Sequence, residues 1–216
     1  MLVAIPVSPK EDIEWLKNVY SDLNFVTFCD KDDLREQCVY RMDENYEYEN
    51  LSRKTRDIFN ILCRSLDEYK AFAKLDFDTL LDKEYIYSVF SFLLENHSRL
   101  LYFGSPMSCA GGSYVSMNGQ FYAISHGILS KYCNCDTSND WISSEDFWFG
   151  HIIHKCTSRG GILNINSIEN YKINGSKIFH KGYNANGVVL SMGFTRKMGP
   201  EESYAQYILR NIWEFT

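Results

Sequence analysis

EYKAFAKLDFDTLL (68–81) is the stretch on which the reading of this chain turns. Its centre, AFAKL (71–75), is a short apolar run of the kind that fills a buried strand. It ends on two aspartates, Asp76 and Asp78, one residue apart. Side chains alternate between the two faces of a strand. Both carboxylates can therefore face one mouth while Phe77, between them, turns into the core. Two acids in such a place either cap a turn or hold something positively charged.

Upstream, LVAIPV (2–7) reads as a buried strand. Ser8-Pro9-Lys10-Glu11 then reads as a helix start, with Ser8 at the N-cap, Pro9 in the first turn and Glu11 closing a capping box. Ile13, Leu16, Tyr20 and Leu23 recur behind it at helical spacing. NFVTFC (24–29) predicts a second strand ended by Asp30, followed by a polar helix containing Leu34 and Val39. NLSRKTRDIFNILCRSL (50–66) predicts an amphipathic helix with Ile58, Leu62 and Leu66 on one face. With the strand ending at Asp76 this makes βαβαβ, which predicts a parallel sheet with covered faces and ligands at strand carboxyl ends.

Beyond residue 104 the pattern changes. Gly111-Gly112, Asn118-Gly119, Gly160-Gly161 and Asn174-Gly175 punctuate short strands and suggest hairpins and loops. Helices are expected around 144–156 and 202–214. The expected fold class is α/β, a mixed, mostly parallel central sheet flanked by helices. It forms one domain over 1–216, with halves 1–104 and 105–216.

Composition narrows the function. The 216 residues are 45% hydrophobic and 15% aromatic, enough for one sizeable core. The formal charge is −6 with the basic residues scattered, which argues against a nucleic-acid partner. Seven cysteines lie between Cys29 and Cys156 without framework spacing. Cys133 and Cys135 are too close together for a zinc knuckle. These read as reduced thiols and point to a reducing, cytoplasmic setting. The sequence has neither a signal peptide nor an apolar run of about 20 residues, so no membrane span is expected.

No GxGxxG follows the first strand and no GxxxxGK[ST] occurs anywhere, which argues against dinucleotide and P-loop enzymes. A divalent cation would hold phosphate instead, and the hard oxygens of Asp76 and Asp78 suit manganese or magnesium. The alternative is that they cap the turn before the helix in LLDKEYIYSVF (80–90).

Four segments, in order, carry a resemblance: YEYENLSRKT (46–55), KLDFDTLL (74–81), GQFYAIS (119–125) and SEDFWFG (144–150). Together they resemble the metal-dependent nucleotide-sugar glycosyltransferases of the GT-A fold. They look most like the fringe and β-1,3-galactosyltransferase-like group. Phe77 departs from that pattern, standing where the family often has a third aspartate, and the anchor and stem of its Golgi members are missing. An enzyme without an anchor looks more like the glycosyltransferases carried by large DNA viruses of algae.

The resemblance implies transfer of a hexose or deoxyhexose, of glucose or rhamnose type, from a UDP-sugar. The acceptor would be a glycan or glycoprotein, a viral capsid glycan among them, with room for further domains in a longer polypeptide. It implies a manganese (or magnesium) cofactor held by Asp76, Asp78 and a late histidine, His180. Lys181 and Lys54 would face the diphosphate. Asp30 would accept from uracil or ribose, and Ile5, Pro6 and Val7 would cradle the base through their backbone. Asp146, beside Glu145, would take the proton from the acceptor hydroxyl. Tyr122, Trp141 and Trp148 would stack on acceptor sugar.

Plainer readings stand beside these. Glu145 and Asp146 suit the start of the helix FWFGHIIHK in any case. Lys54 suits a solvated helix face. His151 and His154 are more often core residues than zinc ligands. A nucleotide- or carbohydrate-binding module without turnover would share the fold and lack a working base.

Overall fold

The computed structural model describes residues 1–108, 114–138, 142, 144–158, 167–184, 187–192 and 212–215. The first half runs β1 (Leu2–Val7), α1 (Ile13–Val19), β2 (Phe25–Cys29), β3 (Tyr40–Arg41), α2 (Leu51–Leu62), β4 (Ala71–Leu75), β5 (Thr79–Leu81) and α3 (Lys83–Glu95). The second runs β6 (Leu101–Ser108), β7 (Val115–Ser125), α4 (His126–Cys133), α5 (Glu145–Thr157), β8 (Glu169–Lys172), β9 (Ile178–Asn184), β10 (Gly187–Met192) and β11 (Ile212–Glu214).

The main sheet has the order β11-β8-β6-β7-β4-β1-β2-β3. β7 runs antiparallel to both its neighbours, β4 and β6, and every other pair is parallel. A smaller antiparallel sheet, β10-β9-β5, joins near the end of β4. The architecture is thus the mixed, mostly parallel α/β sheet expected from sequence.

Strand alternation explains why both faces are covered. Leu2 and Ala4 of β1 join one core cluster, which also holds Ile58 and Phe59 of α2, Leu129 of α4 and Ile152 of α5. Val3, Ile5 and Val7 join the other, with Leu16 of α1 and Val89 of α3. All five residues of β4 are buried, as a central strand between two helix layers requires.

Several local expectations are corrected. Helix α1 starts five residues after Ser8, capped by Asp12, whose carboxylate accepts from the Glu14 and Trp15 amides. The Ser8 amide does donate to Glu11 Oε2 at 2.6 Å, but it does so in a turn that precedes the helix. No helix holds Leu34 and Val39; both are exposed, and the segment is bent back by a Cys29–Cys38 disulfide. Asn118-Gly119 lies inside β7 and makes no hairpin. The helix expected at 202–214 ends instead in strand β11, paired with β8, and residues 202–211 lie outside the described part.

The cysteines are the largest correction. Cys29–Cys38, Cys63–Cys133 and Cys135–Cys156 are disulfides. The CxC at the end of α4 is therefore a hub that ties α4 to the end of α2 and to the last turn of α5. Disulfides persist in oxidising compartments and are rare in the cytosol, so the argument from reduced thiols to a cytoplasmic setting fails. No helix among the described residues is long and apolar enough to cross a membrane.

Candidate functional site

The chain steps from β1 outward to β2 and β3, then returns to place β4 on the other side of β1. Strand order reverses between β1 and β4, and open α/β sheets bind ligands outside the carboxyl ends of strands at such a point. A cavity of about 470 Å³ opens there. One wall carries Pro6 of β1, Tyr48, Glu49 and Leu51 at the entrance to α2, and Lys54 and Thr55 of α2 itself. The other carries Asn118, Gly119 and Gln120 of β7 and Ser144, Glu145 and Asp146 at the start of α5. Lys74 and Asp76, at the end of β4, lie between them.

Alternation along β4 sets the chemistry of the floor. Ala73 and Leu75 join the cluster under α1 and α3, while Phe72 joins the one under α2 and α5. Lys74 shares the face of Phe72, and its side chain is only 5% exposed. Its ammonium donates to Asp76 Oδ1 at 2.6 Å, to the Gly119 carbonyl at 2.8 Å and to Glu145 Oε2 at 3.3 Å. Those three bonds match its three donors. Burial alone would lower the Lys74 pKa, but the carboxylates of Asp76 and Glu145 outweigh it and raise the value.

Glu145 is as tightly held. Its Oε1 accepts from the Tyr122 hydroxyl at 2.6 Å and from Thr55 Oγ1 at 3.1 Å. Burial pushes its pKa up against the pull of Lys74. Gly119 makes the approach possible, because a Cβ there would sit 2.8 Å from Glu145 Oε2. Asp76 is also pushed up by burial, and Asp78 and Asp146 are near enough to push it further in the same direction. Three aspartates from two distant motifs therefore share one electrostatic neighbourhood.

The DxD forms a tight turn from β4 to β5. The Thr79 amide donates to the Asp76 carbonyl at 3.1 Å, and Phe77 is buried as its position in the motif requires. Neither aspartate caps the next helix; Asp82 does, accepting from the Tyr85 amide. Asp78 is half-buried in the turn and does not line the cavity. Strand β9 pairs with β5 so that His180 lies opposite Thr79, the residue after Asp78, and Lys181 follows it. The side chains of His180 and Lys181, and all of Trp141, lie outside the described part.

Asp146 lines the cavity in the first turn of α5, behind the N-cap Ser144. Its Oδ1 accepts from the Ser144 hydroxyl and, at 2.8 Å, from the Phe147 amide. Lys54 borders the cavity, but its ammonium is spent on Asp30 at 2.8 Å and on the Val7 carbonyl at 3.3 Å. That buried pair fixes the ends of β1 and β2. Asp30 is 8% exposed and does not present its carboxylate to a base. Ile5-Pro6-Val7 is the last half of β1, and of the three only Pro6 lines the cavity.

Tyr122 and Trp148 are corrected outright. They are 0% and 1% exposed and lie in the core, which leaves no ring face for a sugar. His154 is fully buried too, its Nε2 accepting from the Val115 amide. The aromatic residue that does line the cavity is Tyr48, 84% exposed. Sequence reading passed over Tyr48 and Lys74 as site residues. Tyr48 lies in the resemblance segment 46–55 but carries no charge or periodicity that marks it as a site residue. Lys74 carries such a mark, as a charge in the middle of an otherwise apolar buried strand.

A metal set can be tested against these residues. Among the described residues the one cluster of three possible ligands is Cys29, Asp33 and Cys38, and its thiols are joined as a disulfide. Asp76 gives one oxygen to Lys74, and a carboxylate has a second with lone pairs of its own. Asp76 and Asp78 offer oxygen donors of the kind a hard divalent cation takes.

No family model matches the chain, and no curated protein matches it. Among solved structures it is similar to A197 from STIV, with a TM-score of 0.46 and 12% identity over 92% of this chain and 97% of that one. It is similar to TarS of S. aureus, with a TM-score of 0.45 and 13% identity over 72% of this chain and 33% of that one. It is similar to a glycosyltransferase involved in the glycosylation of the major capsid of PBCV-1, with a TM-score of 0.37 and 13% identity over 65% of this chain and 70% of that one. Likeness at these scores does not decide an activity, and the architecture above stands on its own strand order.

Proposed function

We propose that this chain is a glycosyltransferase of GT-A type that binds a UDP-sugar with manganese or magnesium and passes the sugar to a hydroxyl of a glycan or glycoprotein. The observation that carries the reading is the charge of the cavity at the β1–β4 switch point. Glu49, Asp76, Glu145 and Asp146 line it against Lys54 and Lys74, and each lysine is already bonded to a carboxylate. Such a cavity repels a bare diphosphate and admits one that arrives with a cation.

Asp76, Asp78 and His180 are the residues that would hold the cation, which would supply Lewis-acid stabilisation of the negative charge on the departing UDP. The chain's own groups divide the remaining work. Glu145 is locked by Tyr122, Thr55 and Lys74, so the acceptor proton falls to Asp146. Ser144 and the Phe147 amide hold one oxygen of Asp146 in place at the cavity wall. Thr55 and Lys54 belong to the same turn of α2, so one helix braces both the locked glutamate and the ends of β1 and β2. Glucose or rhamnose as the sugar, and a capsid glycan as the acceptor, rest on the sequence resemblance alone.

The test is donor turnover. With manganese and UDP-glucose or UDP-rhamnose, the wild-type protein releases UDP, and Asp78→Ala stays folded and releases none. A wild-type protein that binds the donor without ever releasing UDP is the binding module. An Asp78→Ala variant that stays fully active refutes the mechanism.

A further inference from the structure

We propose that Lys74 is a resident counter-ion of this cavity, which competes with a divalent cation for the carboxylate of Asp76. The proposal rests on the metal-dependent reading above and adds a role for a residue outside the metal set.

The geometry is specific. A lysine buried in the central strand of a sheet needs compensation, and this one has two carboxylates and a carbonyl within hydrogen-bond distance. Its shortest bond is to Asp76 Oδ1, one of the two aspartates of the turn. Asp76 follows β4 and Glu145 opens α5, and among the described residues Lys74 is the one ammonium bonded to both. Without it the half-buried Asp76 and the buried Glu145 would face each other with no opposite charge between them. That arrangement is strongly destabilising.

A divalent cation at Asp76 supplies more charge in the same place, so it and the ammonium compete for one carboxylate. Lys74 keeps its bonds to Glu145 and Gly119 when Asp76 is taken, because those partners lie on the other wall. The exchange has two consequences. Cation alone binds weakly, since Asp76 already carries a charge-assisted hydrogen bond from an ammonium that repels the cation. The donor of that bond is then free to meet the anionic ligand, so cation and diphosphate strengthen one another's binding.

Calorimetric titration with manganese alone, alongside thermal unfolding with and without manganese, tests this on the full chain. Lys74→Met is expected to unfold at lower temperature than wild type in chelator. It is expected to bind manganese about 10- to 100-fold more tightly, the worth of one charge-assisted hydrogen bond. Manganese should therefore raise its melting temperature more than it raises that of wild type. Lys54→Met removes a cavity ammonium that is bonded to Asp30 and not to Asp76. Its manganese affinity should stay within about twofold of wild type, which separates competition at Asp76 from a change in general charge.

If Lys74→Met does not fold, Lys74→Met/Glu145→Gln compared with Glu145→Gln reads the same difference with one carboxylate fewer. Equal manganese affinity with and without Lys74 overturns the proposal and leaves the metal reading standing. Tightening of the same size in Lys54→Met also overturns it. No manganese binding by wild type or any variant overturns both.

Discussion

Reducing the folded protein removes three covalent constraints, and the cost of each follows from the length of chain it closes. Cys63 and Cys133 are 70 residues apart, Cys135 and Cys156 are 21 apart, and Cys29 and Cys38 are 9 apart. Loop-closure entropy gives about 4.4, 3.3 and 2.6 kcal/mol respectively. The double variant Cys63→Ala/Cys133→Ala should therefore lose about 4 kcal/mol, or roughly 8–16 °C of melting temperature for a chain of this size. Loss of Cys135–Cys156 costs less but frees the last turn of α5, the helix that presents Asp146 at its other end. The assay is thermal unfolding with and without a dithiol reductant, together with thiol titration of the denatured, unreduced chain. Six of the seven cysteines are paired, so one free thiol per chain is expected. Seven titratable thiols, or a melting temperature indifferent to reductant, would refute the pairing and restore the reducing compartment.

Other tests address the site and its supports. Lys54→Met leaves Asp30 buried without its partner and should cost about 3–5 kcal/mol in denaturant unfolding, whereas Lys54→Met/Asp30→Asn should recover much of that loss. Arg35 bonds both oxygens of Asp33 and holds its carboxyl below the usual carboxylate range. The stability this pair adds is complete above the unfolded-state value near 4 and is lost as pH falls through the folded-state value, so Asp33→Asn should flatten the acid limb of a stability–pH curve. Tyr48 presents an exposed ring at the cavity wall. If it stacks on the base of the ligand, Tyr48→Ala should weaken UDP binding by about 1–3 kcal/mol and Tyr48→Phe should not.

What the sequence disclosed, and what it hid, divides by the range of the interaction responsible. β1, β2, β4 and α2 announce themselves through local periodicity, because alternation and helical spacing reflect burial on faces the chain itself creates. The DxD turn was legible for the same reason, Phe77 being the apolar residue between two acids. The segment holding Leu34 was misread because a Cys29–Cys38 bond sets its path, and no local propensity encodes that pairing. Asn118-Gly119 is an Asn-Gly pair, a strong hairpin signal. Its glycine serves a contact with Glu145, 26 positions away, instead of a turn. Tyr122 and Trp148 sit in motif segments whose residue types suit a sugar cleft and a core equally, and only the folded packing distinguishes the two. Lys74 was visible as an anomaly but not interpretable until Glu145 came into place beside Asp76.

The central claim is that a divalent cation and a nucleoside diphosphate bind together at the end of β4, through Asp76 in the cavity and Asp78 in the turn beside it. Titrating the protein with UDP in manganese and again in chelator measures this most directly. The account predicts binding in manganese, little or none in chelator, and none in either for Asp78→Ala. UDP that binds equally well in chelator, or that binds Asp78→Ala as it binds wild type, would contradict it.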